Sequence, residues 1–371
     1  MQLVLDADQQ ELRSTVRKFL LDRSGSAQVR AAMVSEAGYD RDLWRRLAGE
    51  LGLAGLVVPE AYDGAGAGHV ERSIVLEELG RALTPAPFLA SAVLAVDTLL
   101  ALDDEPARAE YLPRLASGEL LGAVAIAEGP GPWHPAALTA TTATRSGEGW
   151  VLDGRKTFTL GGDVADIVIV LATTPDGPGW FLLDATADGV TRRTLRTLDP
   201  TRRLARFDFA AAPARALASD DPVAALALVA DLFAVALAAE QVGGLLRATE
   251  ITVDYAKVRV QFGRTIGSYQ AVKHACADMY SAGEQATSVL RYAAWTADAA
   301  RDELPLAAAL ATAYIAPAAF DVAGKAVQLH GGIGYTWEHD AHLYFKRAKS
   351  SELLLGSNEQ HRAELADRLQ I

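Results

Sequence analysis

The chain has 371 residues, enough for two or three core-bearing units rather than one. Half of the residues are hydrophobic and 22% are charged, which excludes a disordered chain. A net charge of −12 and an isoelectric point near 5.1 argue against nucleic-acid binding as the main task, although a local basic pocket for an anionic ligand stays open.

The N-terminal stretch MQLVLDADQQELRSTVRKFL is amphipathic and lacks the basic flank and apolar core of a signal peptide. Together with RDLWRRLAGELGL, HVERSIVLEELGRAL and FLASAVLAVDTLLALD it repeats apolar residues three and four apart, so residues 1–117 are expected to form a helical domain. Near Gly118 the texture changes. GAVAIAEG, TATTAT, GWVLDGRKTFTL, ADIVIVLATT, GWFLLDA, GVTRRTL and ARFDFAAAPARAL are short and β-branched or aromatic, with turn signals at Gly147–Gly149 and Pro175–Gly179. Residues 118–220 therefore predict a β domain, a small barrel or sandwich. Helical texture returns over 221–371. Its apolar run Pro222–Ala239 is interrupted by Asp231 and followed by Glu240, which predicts a helix buried among helices and no membrane span. The class is α+β with segregated elements.

No GxGxxG follows a strand, and no P-loop is present. The single cysteine, Cys276, excludes an intrachain disulfide and fits a reducing cytoplasm; with His274 on another helix face it reads as a small packed residue. The seven histidines show no metal-ligand spacing. His342 and His361 lie in charged helical contexts and are expected to face solvent. The pairs Arg192-Arg193 and Arg202-Arg203 read as solvated strand ends.

Three stretches could carry chemistry. RVQFGRTIGSYQ (259–270) holds Arg259, Phe262, Gly263 and Gln270; VQLHGGIGYTWEHD (327–340) holds Gln328, His330 and three closely spaced glycines; Leu355-Gly356-Ser357-Asn358-Glu359 is a glycine break between helical stretches. Taken singly, Arg-x-x-Phe-Gly is a helix end and GGxG a turn. His330 within HGG is expected to shape that turn and bond a backbone.

In this order, on a helix–strand–helix layout, they resemble the acyl-CoA dehydrogenase family. The likeness rests on YAKVRVQFGRTIGSYQAVKHACADM, on AVQLHGGIGYTWEHDAHLYFKRAKSSELLLGS and on the weaker GWVLDGRKTFTLGGDVADIVIV. It implies an N-terminal helical domain, a middle β domain and a C-terminal four-helix bundle, with FAD held between domains and across a subunit interface. It implies that Arg259 meets the FAD pyrophosphate and Phe262 packs on the cofactor, with Gln270 nearby. A guanidinium fork matches phosphate oxygens, and an aromatic face covers a planar ring. Gln328, Gly331 and Gly332 match the segment that reaches the FAD of a neighbouring subunit. Ser357 falls where a threonine is common and Glu359 where a glutamine is; Phe158 stands where a tryptophan covers the flavin, and Leu160 replaces a hydroxyl residue.

The implied reaction is α,β-dehydrogenation of an acyl-CoA or acyl-carrier thioester, with electrons passed to an electron-transfer flavoprotein. It needs a carboxylate to take the α-proton. Both positions where the family supplies one are occupied otherwise, by Leu355 and, counting back from Phe262-Gly263, by Phe233. Glu240 lies two turns beyond Phe233, about 10 Å along the helix. It is the candidate base, against the alternative of a buried glutamate paired with a cation. Asp231 is the lesser candidate, and Glu128 is expected to be structural. Three functions follow: a dehydrogenase, as a homodimer or homotetramer; a non-catalytic subunit completing the FAD site of a mixed tetramer; or a flavoenzyme of altered chemistry, such as an oxidase, on the same scaffold. FLASAVLAVDTLL (88–100) matches the region lining the acyl pocket.

Overall fold

The computed structural model describes residues 3–131, 133 and 140–371. Helix α1 (Ala7–Arg23) starts in a capping box, with Asp6 accepting from the Gln9 amide and the Gln9 side chain returning to the Asp6 amide. Helices α2 (Ser26–Val34), α3 (Arg41–Arg45) and α4 (His69–Ala82) follow. The expected helix at FLASAVLAVDTLL begins as a π-helix, Phe88–Ala95, and continues as α5 (Val96–Ala101); α6 (Glu105–Ala116) completes this part. Apolar spacing registers a helical face but does not separate α from π winding.

The middle of the chain forms β1 (Gly122–Ala125), β2 (Thr142–Ser146), β3 (Gly149–Leu160), β4 (Ile167–Thr174), β5 (Gly177–Asp184), β6 (Val190–Thr194) and β7 (Leu204–Leu217). β3 pairs with β2 and β7, β5 with β7 and β4, and β4 meets β2 at Thr142 and Thr173, so the ring closes into a barrel. β1 runs parallel to β4, and β6 antiparallel to β7. Val168, Val170, Phe181 and Phe207 fill the interior, whereas Ile167, Ile169, Leu171 and Leu182 join the helical core outside. β4 is buried on both faces, which is why it reads as an unbroken apolar run.

Helices α7 (Pro222–Val258), α8 (Gln270–Ala299), α9 (Leu304–His330), α10 (Ala341–Glu352) and α11 (Asn358–Leu369) form the C-terminal part. By length and composition α7 and α9 could cross a membrane, but most of each apolar window is buried within the fold. α7 crosses α4 at two glycines: a Cβ on Gly80 would lie 2.0 Å from the Glu240 carbonyl, and one on Gly243 1.8 Å from that of Glu77. Two expectations fail. His342 and His361 are buried rather than solvent-facing, His342 edge-on to Trp337 with ring centroids 4.6 Å apart. Arg202 is buried too, and Arg203 donates to the carbonyls of Ser35 and Glu36; only Arg192-Arg193 stays exposed. The burial has a cause: carboxylates and carbonyls from other parts of the chain meet these guanidinium groups, which single-strand patterning cannot reveal.

Candidate active site

A cavity of about 630 Å³ lies between the barrel and helices α7, α10 and α11. A bulge in β3 between Lys156 and Thr159 turns Phe158 into the left-handed region at φ +54°, leaving its ring 43% exposed at the cavity. Phenylalanine rarely adopts that conformation, and such strain gathers at functional positions. Leu160 follows on the same face, opposite Leu204 of β7, and both line the cavity. From α7 comes Phe233, stacked on Trp133 at 5.3 Å and 7°. Leu94 of the π-helix lines it as well. Another part of the wall is the α10–α11 corner, where Gly356 at φ +127° breaks the chain. Ser357 caps α11, its hydroxyl accepting from the Gln360 amide at 3.3 Å.

Among the described residues no Asp or Glu lines this cavity; its charged side chains are Arg196 and Lys349. Residues 132 and 134–139, outside the described ones, include neither acid in the sequence. Leu355 is 8% exposed and packs into the helical core.

Glu240 lies apart from this cavity. It is 6% exposed and accepts from Arg202 and Arg347, one guanidinium per carboxylate oxygen. It borders a separate crevice of about 60 Å³ with those arginines rather than the cavity that Phe233 lines. Each carboxylate oxygen is thus held by a guanidinium, and the group faces the arginines rather than the cavity. The alternative, a buried glutamate paired with cations, is what the structure contains. Burial pushes Asp231 up to about 6, with Arg368 at 3.6 Å opposing, but Asp231 does not line the cavity either. Glu128 is structural in its contacts. Burial works to raise its pKa, but bonds from Lys156 Nζ at 2.7 Å and from the Ala140 and Thr141 amides outweigh that and hold it below the usual range.

The residues expected to hold the pyrophosphate gather elsewhere, where α7 stops, α8 starts and α9 stops. Val260–Gln261 and Arg264–Thr265 pair as a hairpin, β8 and β9, around Phe262 (φ +51°) and Gly263 (φ +80°). Two left-handed residues make a tight two-residue turn, so the segment is a hairpin rather than a helix end. Arg264 lies over the Tyr269 ring at 4.0 Å, and Tyr269 Oη donates to the Gln261 carbonyl at 3.1 Å, stiffening the hairpin. Phe262 at its tip is 93% exposed, and Arg259 and Gln270 are exposed at its base. Tyr255 of α7 stacks on His330 at 4.6 Å, which brings the end of α9 alongside. His330 Nδ1 lies 2.7 Å from the Ala326 carbonyl, in the backbone-bonding role expected of it. Gln328 is exposed, as are Gly331 and Gly332, around whose missing Cβ positions the space is open.

The structure thus brings Phe158, Phe233 and Ser357 together in the cavity, and Arg259, Phe262, Gln270, Gln328, Gly331 and Gly332 into a second, exposed patch. The donor sets suit the two ends of FAD. The patch offers a guanidinium with no ion partner among the described residues, amides and open backbone, and the cavity offers an aromatic face in an apolar wall. Trp133, Arg196, Lys349 and Gln360 also line the cavity and were not singled out from the sequence. They come from four separate segments, and only Trp133, in a Gly-Pro-rich stretch, carries a local signal.

The chain is similar to known proteins along most of its length. Models of the acyl-CoA dehydrogenase N-terminal, middle and C-terminal domains match residues 6–119, 123–209 and 230–370. Acyl-CoA dehydrogenase IpdE2 of Mycobacterium tuberculosis is 39% identical over 350 residues, covering 94% of this chain and 93% of that protein. The solved structure described as "Tcur3481-Tcur3483 steroid ACAD G363A variant" is 33% identical with a TM-score of 0.86, covering 98% of both chains. The ChsE4-ChsE5 complex from Mycobacterium tuberculosis is 29% identical with a TM-score of 0.89, covering 100% of this chain and 99% of that one.

Proposed function

The chain belongs to the acyl-CoA dehydrogenase family of FAD-dependent oxidoreductases, and we propose that it works as the flavin-site-completing subunit of a mixed assembly whose catalytic carboxylate sits on a related chain. One observation carries this: the cavity that should contain the base is lined by no acid among the described residues, and those outside them include none. The exposed patch keeps every residue type needed at the pyrophosphate, with Arg259 pairing phosphate oxygens, Phe262 covering the cofactor, and Gln328 and the Gly331–Gly332 backbone donating hydrogen bonds. In the cavity Phe158, Leu160 and Phe233 exclude water and shape an apolar slot but can move no proton. FAD, when bound, would supply the acceptor for the β-hydride, and the carboxylate that takes the α-proton would come from the related chain.

The two solved relatives above are described by pairs of differently named chains, which supports a mixed assembly here. The other function, a self-sufficient homomeric dehydrogenase, is favoured by the names of its relatives but lacks a proton acceptor. The substrate is an acyl-CoA or acyl-carrier thioester, the electron acceptor an electron-transfer flavoprotein and the setting the cytoplasm. Co-expression with a family member carrying glutamate at the position of Leu355 or Phe233 tests the assignment. A mixed oligomer in native mass spectrometry, oxidising thioesters where this chain alone does not, is expected. A homo-oligomer of this chain that oxidises thioesters unaided overturns it.

A further inference from the structure

A buried polar network joins the barrel to the helical bundle beside the cavity. Asp199, Thr201 and Arg202 lie in the segment between β6 and β7; Glu240 is on α7, and Arg347 and Ser351 are on α10. All six are buried. Arg347 Nε donates to Asp199 Oδ2 at 2.7 Å, its Nη2 to the Thr201 carbonyl at 3.0 Å, and its Nη1 to Glu240. Arg202 spreads its fork between two helices, Nη2 to Glu240 of α7 and Nη1 to Ser351 Oγ of α10 at 2.8 Å. Two cations face two anions, so the cluster is neutral and its main donors are met.

Its place in the chain gives it a further role. Leu195–Leu198, just before Asp199, form one part of the wall of the 630 Å³ cavity, and Leu353, Leu354, Gly356 and Ser357, soon after Ser351, supply another. Neither wall is regular secondary structure in the stretches at issue, and α10 ends at Glu352. We propose that Arg202 is a positioning residue for the ligand cavity, its guanidinium fork holding the 195–198 and 353–357 walls at a fixed separation through Glu240 and Ser351. A lysine could carry the charge, but its single ammonium nitrogen lacks the two separate donor nitrogens that the planar fork holds at a fixed divergence.

This role belongs to the cavity and does not depend on which chain supplies the base. The test is amide hydrogen exchange on the full-length chain, with thermal unfolding as control, for Arg202→Lys, Arg202→Met and Ser351→Ala. Ser351→Ala is the mild variant, removing one hydroxyl and no charge, so it reports even if Arg202→Met does not fold. In Ser351→Ala and Arg202→Lys, exchange is expected to accelerate about tenfold or more in both walls together, with α8 protected as in the parent. Arg202→Lys is expected to unfold at a higher temperature than Arg202→Met, yet to leave the walls as mobile. Three results overturn the proposal: acceleration confined to one wall, acceleration spread through the chain in step with lost stability, or parent-like walls in Arg202→Lys.

Discussion

Glu240 shows how far a residue's surroundings outweigh its identity. Its place on the helix made it the candidate base, but Arg202 and Arg347 reach it from the barrel and from α10. Neither partner is near it in sequence. Glu240→Gln therefore leaves two buried arginines short of one anion. The expected result is a loss of about 3 kcal/mol in denaturant unfolding, with the thioester response of the assembled enzyme reduced but not abolished. Abolished thioester response at unchanged stability would restore Glu240 as the base. His342 makes a second residue-scale case. Burial, first, and the neighbouring Lys346 and Arg30 push its pKa down to about 4, with Asp340 opposing. An unfolded histidine titrates near 6.5, so this group's contribution is full above about pH 6.5 and is lost as pH falls through about 4. Asp231 has the opposite sign: raised to about 6, it contributes fully below the ordinary aspartate range and loses that contribution as pH rises through about 6. His342→Phe should thus flatten the fall in melting temperature between pH 6.5 and 4. An unchanged slope would mean that His342 is already protonated in the fold.

At the scale of elements, the strands were the most legible part. Valine, isoleucine and phenylalanine between glycine-rich turns marked β3, β4, β5 and β7, because a pleated ladder needs those residues and turns need the others. The 259–265 hairpin was not legible. Two left-handed residues at its tip include a phenylalanine, which local propensity argues against, and the ring projects into solvent where only a cofactor or another chain could cover it. Arg259→Ala should therefore leave the chain's melting temperature nearly unchanged while flavin retention by the assembly falls. Retained flavin would take Arg259 out of the cofactor site. The α4–α7 crossing gives a sharper contrast between neighbours. A methyl on Gly243 would collide with the Glu77 carbonyl at 1.8 Å, whereas one on Gly244 meets only ordinary contact, Gly80 O at 3.7 Å. Gly243→Ala should cost about 2 kcal/mol or more, and Gly244→Ala should be neutral or gain roughly 0.5 kcal/mol from helix propensity. Equal effects in thermal unfolding would mean that the helices do not cross as closely as described.

For the whole molecule, the helix–strand–helix order could be read from texture alone, because period and turn chemistry are local properties. The family was legible from three motifs in order. The site was legible only in part: Phe158, Phe233 and Ser357 meet across the barrel and the bundle, a convergence that no window of sequence contains. The residues proposed to meet the pyrophosphate stand in recognisable motifs, yet their separation from the cavity appears only once the chain is folded. That separation and the absence of an acid from the cavity lining among the described residues are what support the proposed role of completing a flavin site. The most direct test is the visible spectrum of this chain purified alone, followed anaerobically as acyl-CoA thioesters of varied chain length are added. The account predicts little bound flavin, or flavin whose absorbance does not bleach. Stoichiometric flavin that bleaches on addition of a thioester would contradict it, showing a complete dehydrogenase with its base in this chain.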